Sequence, residues 1–341
     1  MLIQNAKAFM DGKFQEKTDL LIRDGRISAI GTGLAAEGEE TLDLGGDLLL
    51  PGFVDVHIHA FKGMDTMQGE EAVRHMSREL KKVGVAAFLP TTMSASPEDT
   101  VRALAGVKAV MDRPEPDGAI VLGAHMEAPF LAEAKAGAQL KQYFADPNEE
   151  NWQRYTGGLE SIVRLITMAP ERAGALDFIR ELTKKGITVS IGHTTADAET
   201  THAAAEAGAT HVTHTFNAQT PLNHRAPGVP GAALVDDRLQ CEVISDGIHL
   251  HPDIVKLIIR TKGGEKLVAI TDAMEAAGMP DGQYQLGGQD VFVHEGAARL
   301  KDGTLAGSTL TMVRAFQNLM RFGATPEEAA LMTTQTPALS I

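Results

Sequence analysis

Cys241 is the only cysteine in the 341 residues. One thiol cannot close an internal disulfide, which excludes a disulfide-stapled scaffold and fits a reducing cytoplasm. Cys241 itself reads as a small buried packing group rather than a nucleophile. Long apolar runs are missing too: no stretch approaches the roughly 18 residues that a membrane span needs. Met1–Gln15 has no basic region ahead of an apolar core, so no secretory signal is expected. Basic residues are in deficit, with 31 Lys plus Arg against 45 Asp plus Glu. The resulting formal charge of -14 opposes a phosphate backbone, and no local basic run offsets it, so nucleic acid is not an expected partner. No strand is followed by G-x-G-x-x-G, and neither G-x-x-x-x-G-K-[ST] nor G-x-S-x-G occurs. These absences weigh against an open dinucleotide-binding sheet, a P-loop enzyme and a serine hydrolase. Trp152, the sole tryptophan, and the 14 methionines read as packing.

What is present is a repeating order of strand and helix. Apolar runs rich in β-branched residues predict eight strands, at 48–59, 85–92, 119–127, 162–170, 187–194, 210–217, 241–249 and 266–274. Helical composition falls between most of them, at 68–82, 97–111, 171–184, 196–207 and 252–261. Ser96-Pro97-Glu98-Asp99 and Thr325-Pro326-Glu327-Glu328 each put a hydroxyl at the N-cap, proline in the first turn and acids on the helix dipole. Eight such units with nearly continuous apolar strands predict an α/β fold, a (β/α)8 TIM-type barrel spanning 48–341. Residues 1–47, with turns at Asp11-Gly12 and Asp24-Gly25, predict a small β domain beside it. Residues 279–307 read as β-hairpins inserted after the eighth strand.

Chemistry-bearing side chains collect at the C-terminal ends of these strands, which converge on one mouth in a barrel. His57 and His59 end the first strand, Glu127 the third, His193 the fifth, His214 the sixth, Asp246 and His249 the seventh, and Asp272 the eighth. His57 and His59 are two apart, so both imidazoles point to one face and can reach one ion. The same spacing recurs at His249 and His251, so spacing alone does not choose the pair. Taken together, imidazoles and carboxylates from five strands predict one or two divalent ions per subunit, with Zn, Fe, Mn and Co as candidates. His125 lies outside this ligand pattern, His75, His202 and His294 read as surface residues, and His211 as a hydrogen-bonded strand histidine.

The H-x-H preceded by PGFVD resembles the amidohydrolase superfamily. Further along, HMEAPF (125–130), GHTTAD (192–197), THTFNAQTPLNHRAPG (213–228), DGIHLHP (246–252), TDAMEAAGMPDGQYQLGG (271–288) and LAGSTLTM (305–312) resemble, in that order, the N-acetylglucosamine-6-phosphate deacetylases. The resemblance implies hydrolysis of the N-acetyl group of a phosphorylated amino sugar, with Glu127, His193 and His214 on a principal metal. His57 and His59 would support a second, bridged by Glu127. It further implies that Asp272 deprotonates water and returns the proton to the departing amine, and that His249 helps the metal stabilise the carbonyl oxygen. Asn217, Ala218, His224, Arg225, Asp246 and the loop Leu305, Ala306, Gly307 and Ser308 match substrate-binding positions. Ala138 and Gln139 do so too, with Gln139 standing where some relatives carry histidine, and Ala128 replaces the glycine of the usual E-G-P-F. A phosphate pocket completed by a second subunit, hence a homodimer in the cytoplasm, is also implied. In relatives the chain continues beyond the equivalent of Ile341 to complete the small β domain, so a further C-terminal stretch is expected.

Two rivals remain open. Other amidohydrolases often carry a carboxylated lysine at a strand end, but Met168, Ala169 and Pro170 end the fourth strand here. A noncatalytic sugar-binding barrel is the second rival.

Overall fold

The computed structural model of the protein describes residues 1–35 and 37–341. Its first unit is a small sheet. Leu2–Met10 and Lys13–Arg23 pair antiparallel around Asp11-Gly12, and Lys13–Arg23 pairs with Arg26–Gly31 around Asp24-Gly25. All four turn residues have positive φ, between 51° and 76°, the backbone that tight hairpins need. Thr41–Asp43 and Leu48–Leu49 then add in parallel to Leu2–Met10. The run expected as one strand over 48–59 is therefore divided: Leu48–Leu49 belongs to the small sheet, and the barrel begins at Phe53. Pro51-Gly52 makes the break, and a Cβ on Gly52 would sit 2.4 Å from that of Ala86 on the next strand.

Eight parallel strands follow, each paired with the next: Phe53–Ile58, Val85–Thr92, Ala124–Met126, Val163–Met168, Thr188–Ile191, His211–Val212, Gln240–Ile244 and Leu267–Ile270. Just beyond the eighth strand the chain returns to the first. Asp272 N–H donates to His57 C=O at 2.8 Å, and the His59 and Ala60 amides donate to Ala273 C=O at 3.0 Å. The result is a nearly closed barrel wrapped by helices, with one apolar core shared between strands and helices. Ser96 and Thr325 cap their helices, Pro97–Asp112 and Pro326–Thr333, with the side-chain bonds their sequences predict.

Two strands are shorter than the apolar runs imply. The third expected strand, 119–127, contains a separate pair, Ile120–Val121, before Ala124–Met126; Gly123 between them has φ 157° and its space is filled by Arg164. The sixth, 210–217, is strand only at His211–Val212, because His214 (φ 29°), Phe216 (φ 79°) and Ala218 (φ 50°) turn the chain outward at the mouth. Gln219 holds that turn, accepting from Phe216 N–H and donating to Thr213 C=O. After the eighth strand, Gly282–Leu286, Gln289–His294 and Ala297–Arg299 form a three-stranded antiparallel sheet over its own apolar cluster, including Met93, Met274, Leu286 and Val291. Helices Glu149–Thr156 and Gly228–Val235 were not expected from composition.

Candidate active site

The strand order converts distant residues into neighbours. Glu127 follows the third strand directly, and His193, His214 and Asp272 each lie two residues beyond the ends of the fifth, sixth and eighth strands. All three of those residues carry positive φ, 45°, 29° and 50°. Side chains other than glycine adopt this backbone at a cost, and it concentrates where a fold holds functional groups. Here it is held by Asp272 N–H to His57 C=O, Ser308 N–H to Asp272 C=O at 2.7 Å, and Asn217 N–H to His214 C=O at 2.9 Å.

Glu127 is the hub. Its Oε1 lies 3.0 Å from His214 Nε2, 3.3 Å from His193 Nε2 and 3.4 Å from His57 Nε2, while its Oε2 lies 3.1 Å from His59 Nε2. Asp272 Oδ1 approaches His59 Nε2 at 3.1 Å and His57 Nε2 at 3.5 Å. Two triads, His57/His59/Glu127 and Glu127/His193/His214, each have ligand atoms within 4.8 Å of one another.

The donor chemistry of these rings fits a cation. His193 Nδ1 lies 2.7 Å from Lys135 C=O and His59 Nδ1 lies 3.3 Å from Thr91 C=O, so both Nδ1 atoms carry the proton. Their Nε2 lone pairs then face carboxylate oxygens, and His193 Nε2 also faces His214 Nε2 at 3.1 Å. Acceptor set against acceptor, among side chains this buried, calls for positive charge between them. His57 Nε2, fully buried, has no hydrogen-bond partner among the described residues. The protonation balance shows the same demand. Burial opposes charge on His59, but hydrogen bonds to the Asp272 and Glu127 carboxylates outweigh it and push the group up to about 9. His57 is likewise raised against its burial by Glu127 and Asp272. Burial also opposes the charge on Glu127, but the charge on His57 and hydrogen bonds from His193 and His214 hold its carboxyl well below the usual range. A divalent ion at this place would have to displace those protons.

The amidohydrolase family profile matches residues 48–341. The N-acetylglucosamine-6-phosphate deacetylase of Bacillus subtilis is 40% identical over 88% of this chain and 77% of its own. The chain belongs to the amidohydrolase family, among the N-acetylglucosamine-6-phosphate deacetylases. The N-acetylgalactosamine-6-phosphate deacetylase of Escherichia coli O157:H7 is 37% identical over 94% of this chain and 84% of its own. A mutant N-acetyl-D-glucosamine-6-phosphate deacetylase from Mycobacterium smegmatis, solved with N-acetyl-D-glucosamine-6-phosphate, superposes with a TM-score of 0.90 at 33% identity, covering 100% of this chain and 90% of that one.

Above the hub this amidohydrolase has a cavity of about 330 Å³. His59, Glu127, His193, His214 and Asp272 line its floor; Ala138, Gln139, Asn217, Ala218, His249, Leu305 and Gly307 form walls. His57 is buried behind the floor. Gln139 donates to Glu127 Oε2 at 2.7 Å and accepts from Ser94 N–H, so it braces the hub as well as facing the cavity. Asp246 does not line the cavity; it takes His249 Nδ1 at 2.7 Å and His249 N–H at 2.8 Å, which leaves the other ring nitrogen of His249 free. Ala306 and Ser308 are buried beneath the wall, and Ser308 Oγ donates to Thr271 C=O. His224 and Arg225 are exposed and stand outside the cavity of a single chain.

Several residues escaped the sequence reading. Lys135 is the sole Lys or Arg lining the cavity among the described residues, and Met93, Ala134, Gly137, Leu286 and Thr304 complete its walls. Its place in the K-A-G-A-Q segment next to Gln139 was the signal available. His125, outside the ligand set, bonds Thr167 Oγ1 at 2.8 Å and is held neutral by burial and by the charge on His57. Of the histidines expected at the surface, His294 is exposed, whereas His75 and His202 are half-buried. Among the described residues His211 bonds through Nδ1 alone, and its Nε2 has no partner.

Proposed function

We propose that this chain hydrolyses the N-acetyl group of N-acetylglucosamine 6-phosphate, releasing glucosamine 6-phosphate and acetate. The observation that carries the reading is the hub itself: one carboxylate shared by four imidazoles, with Asp272 beside it on the floor of a sugar-sized cavity. Imidazole and carboxylate ligands suit Zn, Fe, Mn or Co, held as one ion by Glu127, His193 and His214 or as two with His57 and His59. A divalent ion in such a site would lower the pKa of water toward about 7 and polarise a carbonyl.

The residues of the chain do the rest. Asp272 accepts the proton of the attacking water, whose oxygen bonds to the acetyl carbon. His249, held by Asp246, faces the carbonyl oxygen as its electron pair develops. When the C–N bond breaks, the electron pair stays on nitrogen and Asp272 delivers the proton to it, leaving amine and acetate. Lys135 from the cavity wall, Arg225 and His224 from the exposed loop, and the amides of Asn217 and Ala218 are the phosphate donors we propose. Because Arg225 and His224 lie outside one chain's cavity, the reading includes a homodimer in which the partner's loop reaches the phosphate. A phosphorylated sugar does not cross a bilayer unaided, so the proposed substrate puts the reaction in the cytoplasm. The similarity to an N-acetylgalactosamine-6-phosphate deacetylase favours one second reading, the C4 epimer as substrate.

Acetate release from both phosphorylated epimers and from free N-acetylglucosamine, with divalent metal supplied, tests the proposal. Strong preference for a phosphorylated sugar is expected; equal rates on the free sugar would sink the substrate assignment. A charge-assisted hydrogen bond is worth about 1.5 to 3 kcal/mol, so Arg225→Ala or Lys135→Ala should lower kcat/KM for the phosphorylated sugar roughly 10 to 150-fold. Activity on the free sugar should change little. Equal losses on both sugars would mark the residue as structural.

A further inference from the structure

We infer that Glu242, a residue of the barrel interior, orients His57 toward a cation and so sets how firmly the His57/His59/Glu127 cluster holds it. The inference rests on the reading that both clusters bind metal. Glu242 lies mid-strand in Gln240–Ile244, its backbone paired with Val268 and its C=O taken by Thr215 N–H at 2.9 Å. Its side chain is fully buried, and His57 is its sole ion-pair partner among the described residues: Oε2 lies 3.1 Å from His57 Nδ1. The same oxygen accepts His214 N–H at 3.4 Å, while Oε1 has no partner among the described residues.

A carboxylate so placed is a poor stabiliser. Burying a charge with half its acceptor capacity idle costs free energy, and an uncharged side chain of similar shape would cost less. What only a carboxylate supplies is an anion behind His57. It fixes the proton on Nδ1, turns the Nε2 lone pair toward Glu127 and Asp272, and raises the basicity of that lone pair. His59 and His193 are oriented by neutral backbone carbonyls instead, and His214 Nδ1 has no partner among the described residues. Glu242 therefore gives one ring of the four an advantage the others lack, from 185 residues away in sequence.

The test titrates chelator-stripped protein with Zn²⁺ by calorimetry, checked by elemental analysis, in wild type, Glu242→Gln, His57→Asn and the double variant. Glu242→Gln is expected to weaken one Zn²⁺ site by about 10 to 100-fold and leave the other as it was. Its metal-free melting temperature should not fall, and in the His57→Asn background it should add nothing. Two wild-type sites in Glu242→Gln, or equal weakening of both, would overturn the assignment while leaving the two-cluster reading intact. If His57→Asn itself keeps both ions, the two-cluster reading fails and takes this inference with it. Histidine ¹⁵N spectra of the wild type need no variant: a proton on His57 Nδ1 is expected, and a proton on Nε2 instead overturns the role.

Discussion

Asp272→Asn is the substitution that bears most directly on the chemistry. Asp272 sits at φ 50°, a left-handed backbone that asparagine adopts more readily than most side chains, so the seam at His57 C=O and Ser308 N–H should survive the change. The amide keeps the shape of the carboxylate and can still face His59, whose Nε2 lies 3.1 Å away. What it cannot do is take a proton from water or return one to nitrogen. General acid–base catalysis is worth about 10² to 10⁴-fold, which is about 2.7 to 5.4 kcal/mol of barrier at 1.36 kcal/mol per decade. The loss should fall on kcat, with Glu127, His193 and His214 still binding metal. Acetate release should be measured at saturating substrate, on samples whose metal content has been matched to wild type. A variant with full metal and nearly normal kcat would refute the role of Asp272. One that had lost its metal would show instead that Asp272 is chiefly a ligand.

Glu127→Ala should strip both clusters at once, since Glu127 contacts all four imidazoles, whereas His59→Asn should cost one ion; elemental analysis separates the two outcomes, and full metal with full activity in Glu127→Ala would refute the hub. Gly192→Ala would place a Cβ 2.6 Å from that of Thr213 and 2.8 Å from Thr167 Cγ2, beside His193, so a loss of about 1 to 3 kcal/mol and weaker metal binding are expected by thermal melting and titration. Unchanged stability and affinity would mean that this wall yields more easily than its distances suggest. Asp55 gives a pH prediction: burial pushes its carboxyl up to about 6, despite hydrogen bonds from Thr271 and His57 N–H. An acid raised on folding adds stability that is full below its unfolded value near 3.8 and is lost as pH rises through about 6. Above that window the buried charge costs roughly 2 to 4 kcal/mol. Asp55→Asn should therefore melt higher than wild type at pH 7 and lose the pH dependence between about 4 and 6; a lower melting temperature at pH 7 would contradict the assignment.

Much of this was legible in the sequence because a barrel turns strand ends into a single place. His57, His59, Glu127, His193, His214 and Asp272 could be gathered by position alone, with the resemblance supplying their proposed roles. Glu242 could not. A lone carboxylate inside C-E-V-I looks like a strand residue facing solvent, and its meaning depends on His57, which packs against it only after the barrel has curled. Lys135 was obscured for a different reason: it ends the single 3₁₀ turn Glu133–Lys135 in otherwise irregular chain, too short for any period to report which way a side chain faces. The sixth strand was overestimated because T-H-V-T-H-T-F-N carries strand propensity throughout. The mouth imposes left-handed backbone from His214 onward, a tertiary demand that overrides local preference.

The seam between the eighth strand and the first has a consequence for how the protein reaches its native state. Asp272 donates its amide to the carbonyl of His57, so the group proposed to move protons and the ring proposed to bind metal come together only when the two ends of the barrel sequence meet. Contacts of such large sequence separation carry the loop-closure cost of everything between them and tend to slow folding. Assembly of the reactive centre and completion of the barrel are thus one event, and a nascent chain that stops before Asp272 has neither. A metal ion that binds only the closed form would stabilise that last step by mass action, drawing the final strand into place.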